Sequence, residues 1–94
     1  MRYEKGTIQI SDTRDIPLLQ QVLRAGFVTS DQLFEFMRLQ QTENSREAFD
    51  HRLRRLVSHG LIEKHLGAAR GRPQVYIISP EGASLLIDYT NAFR

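Results

Sequence analysis

The chain has 94 residues, one domain's worth, with an ordinary soluble composition of 40% hydrophobic and 26% charged residues, so its core must be lean. Its net charge is only +2, and it has no cysteine, which excludes disulfides, thiolate zinc sites and cysteine nucleophiles. No apolar run approaches the ~20 residues that span a bilayer, and the start, Met1-Arg2-Tyr3-Glu4-Lys5-Gly6, lacks the apolar stretch of a signal peptide, so the expected location is cytoplasmic with no membrane partner.

Residues 1–12 read as an extended arm, because Thr7-Ile8-Gln9-Ile10 alternates polar and apolar. Ser11 or Asp12 offers an N-cap, Asp15 puts negative charge in a first turn, and Pro17 is tolerable only near a helix start. Ile16, Leu19, Val22 and Leu23 then repeat at helical spacing up to Gly26, giving a first helix over 13–25. Phe27-Val28-Thr29 is a short link. Thr29 and Gln32 form a capping box for a second helix over 30–39, with Leu33, Phe34 and Met37 on its apolar face. The polar stretch 40–44 reads as a turn. Asn44 and Glu47 supply a second capping box, opening a third helix over 45–59 whose stripe is Phe49, Leu53, Leu56 and Val57. Two strand candidates, 61–66 and 74–79, flank a Gly, Pro and Arg-bearing tip at 67–73 and form a hairpin. Ser79-Pro80-Glu81 restarts a helix over 80–92.

The charge is unevenly placed. Residues 44–72 hold seven bases (Arg46, Arg52, Arg54, Arg55, Lys64, Arg70, Arg72) against three acids (Glu47, Asp50, Glu63), while the remainder holds six bases and eight acids. A basic third helix followed by a basic hairpin suggests a face aimed at a polyanion. The element order puts a short polar turn between the second and third helices, a helix-turn-helix arrangement whose second member enters the major groove. That groove, about 12 Å wide, accepts one amphipathic helix. The outer face of the third helix would carry Arg46, Glu47, Asp50, His51, Arg54, Arg55 and Ser58.

From Asp15 to about Leu86 the sequence resembles winged helix-turn-helix regulators of the MarR and PadR type, and most of all the replication-relaxation-type domains of bacterial and plasmid proteins. Leu53-Arg54-Arg55-Leu56-Val57-Ser58-His59-Gly60-Leu61-Ile62 resembles a recognition helix ending in a Gly-Leu-Ile turn into the wing. Gly71-Arg72-Pro73-Gln74-Val75-Tyr76-Ile77-Ile78-Ser79-Pro80-Glu81-Gly82-Ala83 resembles the wing return and the next helix start. The Asp-x-Arg element usual in MarR-type wings has no counterpart here. The resemblance implies a single domain over 1–94, mainly α with a small hairpin wing: a three-helix core, a two-stranded wing and a C-terminal helix over 80–94. The implied function is double-stranded DNA binding in transcription regulation or in plasmid or phage replication control.

Within that frame Arg46 is expected to pair bidentately with guanine, giving roughly 1–3 kcal/mol of discrimination. Asp50 accepts from cytosine, or else orients Arg46 or Arg54 one turn away. His51 lies on the same face. Arg54 and Arg55 suit phosphates, and Arg70 and Arg72 at the wing tip suit a narrow minor groove. Thr29, Ser30 and the first N–H groups of the second helix form a phosphate seat, although Thr29 also serves as a cap. Phe34, Phe49 and Tyr76 read as core rather than stacking platforms. In the last helix Leu85, Leu86, Ile87, Tyr89, Ala92 and Phe93 cover more than one face, which suggests a homodimer through Leu85, Leu86, Tyr89 and Phe93.

The competing reading is a winged-helix protein-interaction module without DNA binding. An enzyme is not expected. There is no Gly-rich phosphate loop, the neighbours Ser58 and His59 diverge on a helix, and His51, His59 and His65 lack metal-ligand spacing. Neither cofactor nor metal is expected.

Overall fold

A computed structural model describes residues 2–5, 8–43, 45–65 and 74–92. The chain runs β1 (Arg2–Lys5), β2 (Ile8–Ser11), α1 (Asp15–Ala25), β3 (Val28–Thr29), α2 (Ser30–Leu39), α3 (Arg46–Ser58), β4 (Ile62–His65), β5 (Val75–Ile78) and α4 (Pro80–Ala92). The expected arm is in fact an antiparallel pair of strands, with Arg2 opposite Ser11 and Lys5 opposite Ile8. Alternation in the sequence showed the inner strand, whose Ile10 is fully buried. It could not show the backbone pairing that makes a strand of Arg2–Lys5.

Local chemistry sets the helix boundaries. Ser11 does not cap α1. Its Oγ accepts from the N–H groups of Thr13 and Arg14, both at 3.3 Å, and so holds the turn before the helix, which starts at Asp15. At the other end Gly26 sits at φ 81°, a left-handed conformation that disfavours a side chain, and its N–H closes on Val22 O at 3.1 Å. The Thr29–Gln32 capping box forms in both directions, at 3.2 and 3.1 Å. The cap of α3 is Ser45, whose Oγ accepts from Ala48 N at 3.2 Å. The expected Asn44 lies outside the described residues. Ser79 opens α4 by accepting from Gly82 N at 2.9 Å while donating to Gly60 O at 2.6 Å.

The wing sheet has three strands rather than two, in the order β3–β5–β4. Val28 pairs with Tyr76 and Thr29 with Val75, while Ile62 pairs with Ile78 and His65 with Val75. A two-residue strand is too short for periodicity to reveal, so β3 read as a link. The tip over 67–73, with Arg70 and Arg72, lies outside the described residues.

One core joins all layers: Ile16, Leu18, Leu19 and Val22 of α1, Leu33 and Met37 of α2, and Phe49, Leu53 and Leu56 of α3, with Ile10, Val28, Leu61 and Ile62. Leu85 and Leu86 complete it at 0% and 5% exposure. These two residues, expected at a dimer interface, are therefore already spent on the domain's own core, against which Tyr89 also packs. Phe93 lies outside the described residues. Leu23, expected inside, is instead exposed beside Ile87 on α4. The first turn of α4 reaches the α3–β4 turn closely, because a Cβ on Gly82 would lie 2.1 Å from Leu61 O.

Candidate nucleic-acid interface

The third helix carries two rows of charge that face different neighbours. Arg46, Asp50 and Arg54, spaced by four, lie toward the N-terminus of α2 and the wing sheet. Arg52 and Arg55, spaced by three, lie toward α1 and β2.

The second row is engaged by buried acids. Asp15 is fully buried. Its Oδ1 accepts from Arg52 Nη1 at 2.9 Å, and its Oδ2 accepts from Arg55 Nη2 at 2.6 Å and Ser11 N at 2.9 Å. Glu43, also buried, accepts from Arg52 Nε at 3.1 Å and Arg14 Nη1 at 3.0 Å. Arg55 donates further to Gln9 O at 3.1 Å. Burial pushes the Asp15 carboxyl upward, but the Ser11 N–H and the Arg52 and Arg55 guanidiniums outweigh it and hold it below its ordinary value. Burial likewise works against the Arg52 charge, and its bonds to Asp15 and Glu43 hold it above the ordinary value. Arg55, expected on phosphates, is thus an anchor of α3 to the body. Its partner lies 40 residues away in sequence, where the acid read as a first-turn charge.

Arg46 is also occupied. Nε donates to Asp50 Oδ1 at 2.9 Å, Nη1 to Asp31 Oδ1 at 2.8 Å and Nη2 to Ser30 Oγ at 3.3 Å. The guanidinium carbon stands 5.3 Å from the Phe34 ring centre and 5.7 Å from that of Phe49, within reach of a cation–π attraction. Those rings meet edge to face at 5.3 Å. The Asp50 and Asp31 bonds raise the Arg46 pKa above its usual value. Arg46 therefore clamps the start of α3 to the start of α2 instead of projecting freely. Ser30 joins this clamp, Thr29 spends its hydroxyl on the cap, and the exposed Asp31 carboxylate stands in the first turn of α2. The expected phosphate seat is already furnished with an anion.

What remains open is a cleft between α3 and the wing. Two hollows of about 190 and 310 Å³ share Leu53, Arg54, Lys64 and Tyr76 as lining, and the larger adds Ser30, Asp50 and Gln74. Arg54 and Lys64 are exposed and have no ion-pair partner among the described residues. His51 is exposed on α3. Tyr76 is half-buried; burial raises its pKa, as does the Asp50 charge, against a smaller opposing effect of Arg46. The structure thus brings Ser30, Arg46, Asp50 and Arg54 together and turns Arg55 away. Lys64 and Tyr76 were missed by the sequence reading. They are cross-strand partners, on the same sheet face as Ile62 and Ile78. That face begins in the core and runs out into the cleft, a signal contained in the two-residue period of β4 and β5. Among the described residues no group of three potential metal ligands occurs, and no helix is long and apolar enough to cross a membrane.

No protein-family model and no curated protein matches the chain. Solved structures do match in fold. A mutant of MarR from E. coli complexed with operator DNA superposes with a TM-score of 0.68 at 19% identity, over 84% of this chain and 51% of that one. PadR of Bacillus subtilis in complex with operator DNA gives 0.62 at 16%, over 80% and 45%. The ferric uptake regulator of Francisella tularensis with iron gives 0.64 at 14%, over 83% and 58%. The chain thus spans about half the length of the structures it matches, and its fold is a winged helix.

Proposed function

We propose that this chain is a DNA-binding regulator domain that lays α3 in the major groove and grips backbone phosphates with Arg54 and Lys64. The observation that carries this reading is the position of those two cations, unpaired among the described residues, on either side of the cleft between α3 and the wing. Two of the structural neighbours were solved on operator DNA, which supports the same partner for this chain. Arg70 and Arg72, outside the described residues, add two more bases in sequence between β4 and β5. The role is one of binding rather than catalysis, in transcription or replication control.

The test is duplex binding by fluorescence anisotropy across a salt series. Affinity should fall steeply with salt, because each phosphate neutralised releases counterions. Changing Arg54 or Lys64 to Ala should weaken binding on all sequences and flatten the log–log salt slope by about 1 for each. Salt-independent binding, or a double Arg54→Ala, Lys64→Ala variant that binds as the parent does, would refute the assignment and leave a protein-interaction module.

A further inference from the structure

Resting on the DNA-binding reading, we infer that the base-reading group of α3 is the Asp50 carboxylate, with Arg46 as the residue that positions it, and that the base it selects is cytosine. To read guanine, Arg46 must present two parallel N–H groups to O6 and N7. Three of its donors are committed, to Asp50, Asp31 and Ser30, and its plane rests against Phe34 and Phe49. Freeing it would break two charge-assisted hydrogen bonds and leave two carboxylates unpaired beside a polyanion. Kept in place, the clamp fixes Asp50 instead.

The Asp50 side chain is 44% exposed, and only Oδ1 is engaged among the described residues, by Arg46 Nε. The residue borders the cleft one turn before Arg54. An ionised carboxylate only accepts hydrogen bonds. Guanine shows two acceptors in the major groove and thymine shows O4, so both are rejected. Adenine offers the N6 amino group, but its N7 acceptor lies beside it and opposes a second carboxylate oxygen. Cytosine offers the N4 amino group with no adjacent acceptor on its own edge. The carboxylate therefore favours cytosine. Arg46, by holding one oxygen and part of the charge, lets that carboxylate approach DNA at reduced repulsion.

The experiment is selection of bound duplexes from a random pool at fixed salt, with the parent protein and the variants Asp50→Asn, Asp50→Ala and Arg46→Lys, followed by competition binding on the selected site. The parent should favour cytosine over thymine at one position by roughly 5- to 100-fold. Asp50→Asn should move that one position to adenine, because an amide can pair with N6 and N7 together. Asp50→Ala and Arg46→Lys should relax the same position without moving it to another base. If the parent enriches no sequence, the DNA-binding reading falls and takes this inference with it. If the parent enriches a site whose preferences survive both Asp50 variants, the Asp50 assignment alone is overturned. A guanine whose preference is lost in Arg46→Lys and kept in Asp50→Asn would overturn it equally, in favour of direct reading by Arg46.

Discussion

Changing Asp15 to Asn removes one charge from a site where three donors converge. The carboxylate is fully buried and holds Ser11 N, Arg52 and Arg55. Breaking a buried ion pair by deleting one partner costs about 3–5 kcal/mol. Two features place this case at the low end: Arg52 keeps Glu43, and the Arg52 and Arg55 side chains are 19% and 29% exposed, so water relieves part of the loss. A loss of about 3 kcal/mol corresponds to a fall of roughly 12–24 °C in Tm for a domain of this size. Circular dichroism melts at neutral pH read this directly. The pH dependence provides a second readout. Because the folded carboxyl titrates below its ordinary value of about 3.9, its contribution is present in full above that value and is lost as pH falls through the lower, folded one. The parent should therefore lose stability below about pH 4 more steeply than Asp15→Asn, and the two melting curves should converge in acid. A variant within about 0.5 kcal/mol of the parent, the size of an ordinary surface substitution, or one with an identical acid profile, would refute the claim that this carboxylate anchors α3.

Leu85→Ala should lower stability by about 2–5 kcal/mol as a core deletion, seen as a reduced denaturant midpoint that does not vary with protein concentration; a concentration-dependent loss would return Leu85 to an interface between copies. Gly82→Ala should cost at least about 1–3 kcal/mol, because the added methyl meets the Leu61 carbonyl at 2.1 Å and backbone cannot rotate aside; an unchanged melt would refute the close packing of α4 on that turn. Thr29→Ala should cost about 1 kcal/mol by opening the capping box, and Thr29→Ser should restore most of it in the same urea titration.

The elements with local causes were legible. The start of α2 followed from one capping box, that of α4 from Ser79-Pro80, and the wing from the β-branched and aromatic stretch Val75–Ile78. The misreadings share a different origin. Strand β3 has its reason in the backbone of β5 and the burial of Leu85 and Leu86 in the core where α4 meets α1, both distant in sequence, while β1 pairs with the adjacent β2 through backbone bonds that side-chain patterning does not encode. A helix with apolar residues on more than one face reads the same whether the second face meets another copy or its own domain; here the domain takes Leu85 and Leu86 and leaves Ile87 exposed.

The arginines of α3 carry this argument to the site. At 100° per residue, positions 46, 50 and 54 fall on one flank and 52 and 55 on another, and this much is arithmetic on the sequence. Which flank meets acid is not, because Asp15 and Glu43 arrive from the start of α1 and the α2–α3 turn. A count of bases therefore overstates a binding surface in a predictable direction. An arginine with a buried carboxylate within reach is retained by it, since leaving that carboxylate unpaired costs several kcal/mol, more than the exposed contact to a phosphate would return. The cations left for a polyanion are those that no acid, buried or exposed, already holds. On this helix and its neighbouring strand the described residues that meet this condition are Arg54 and Lys64. On the proposed DNA-binding reading, so narrow a basic contact would supply less non-specific affinity than a count of all the helix's bases implies, and would leave a larger share of recognition to Asp50, the carboxylate that borders the same cleft.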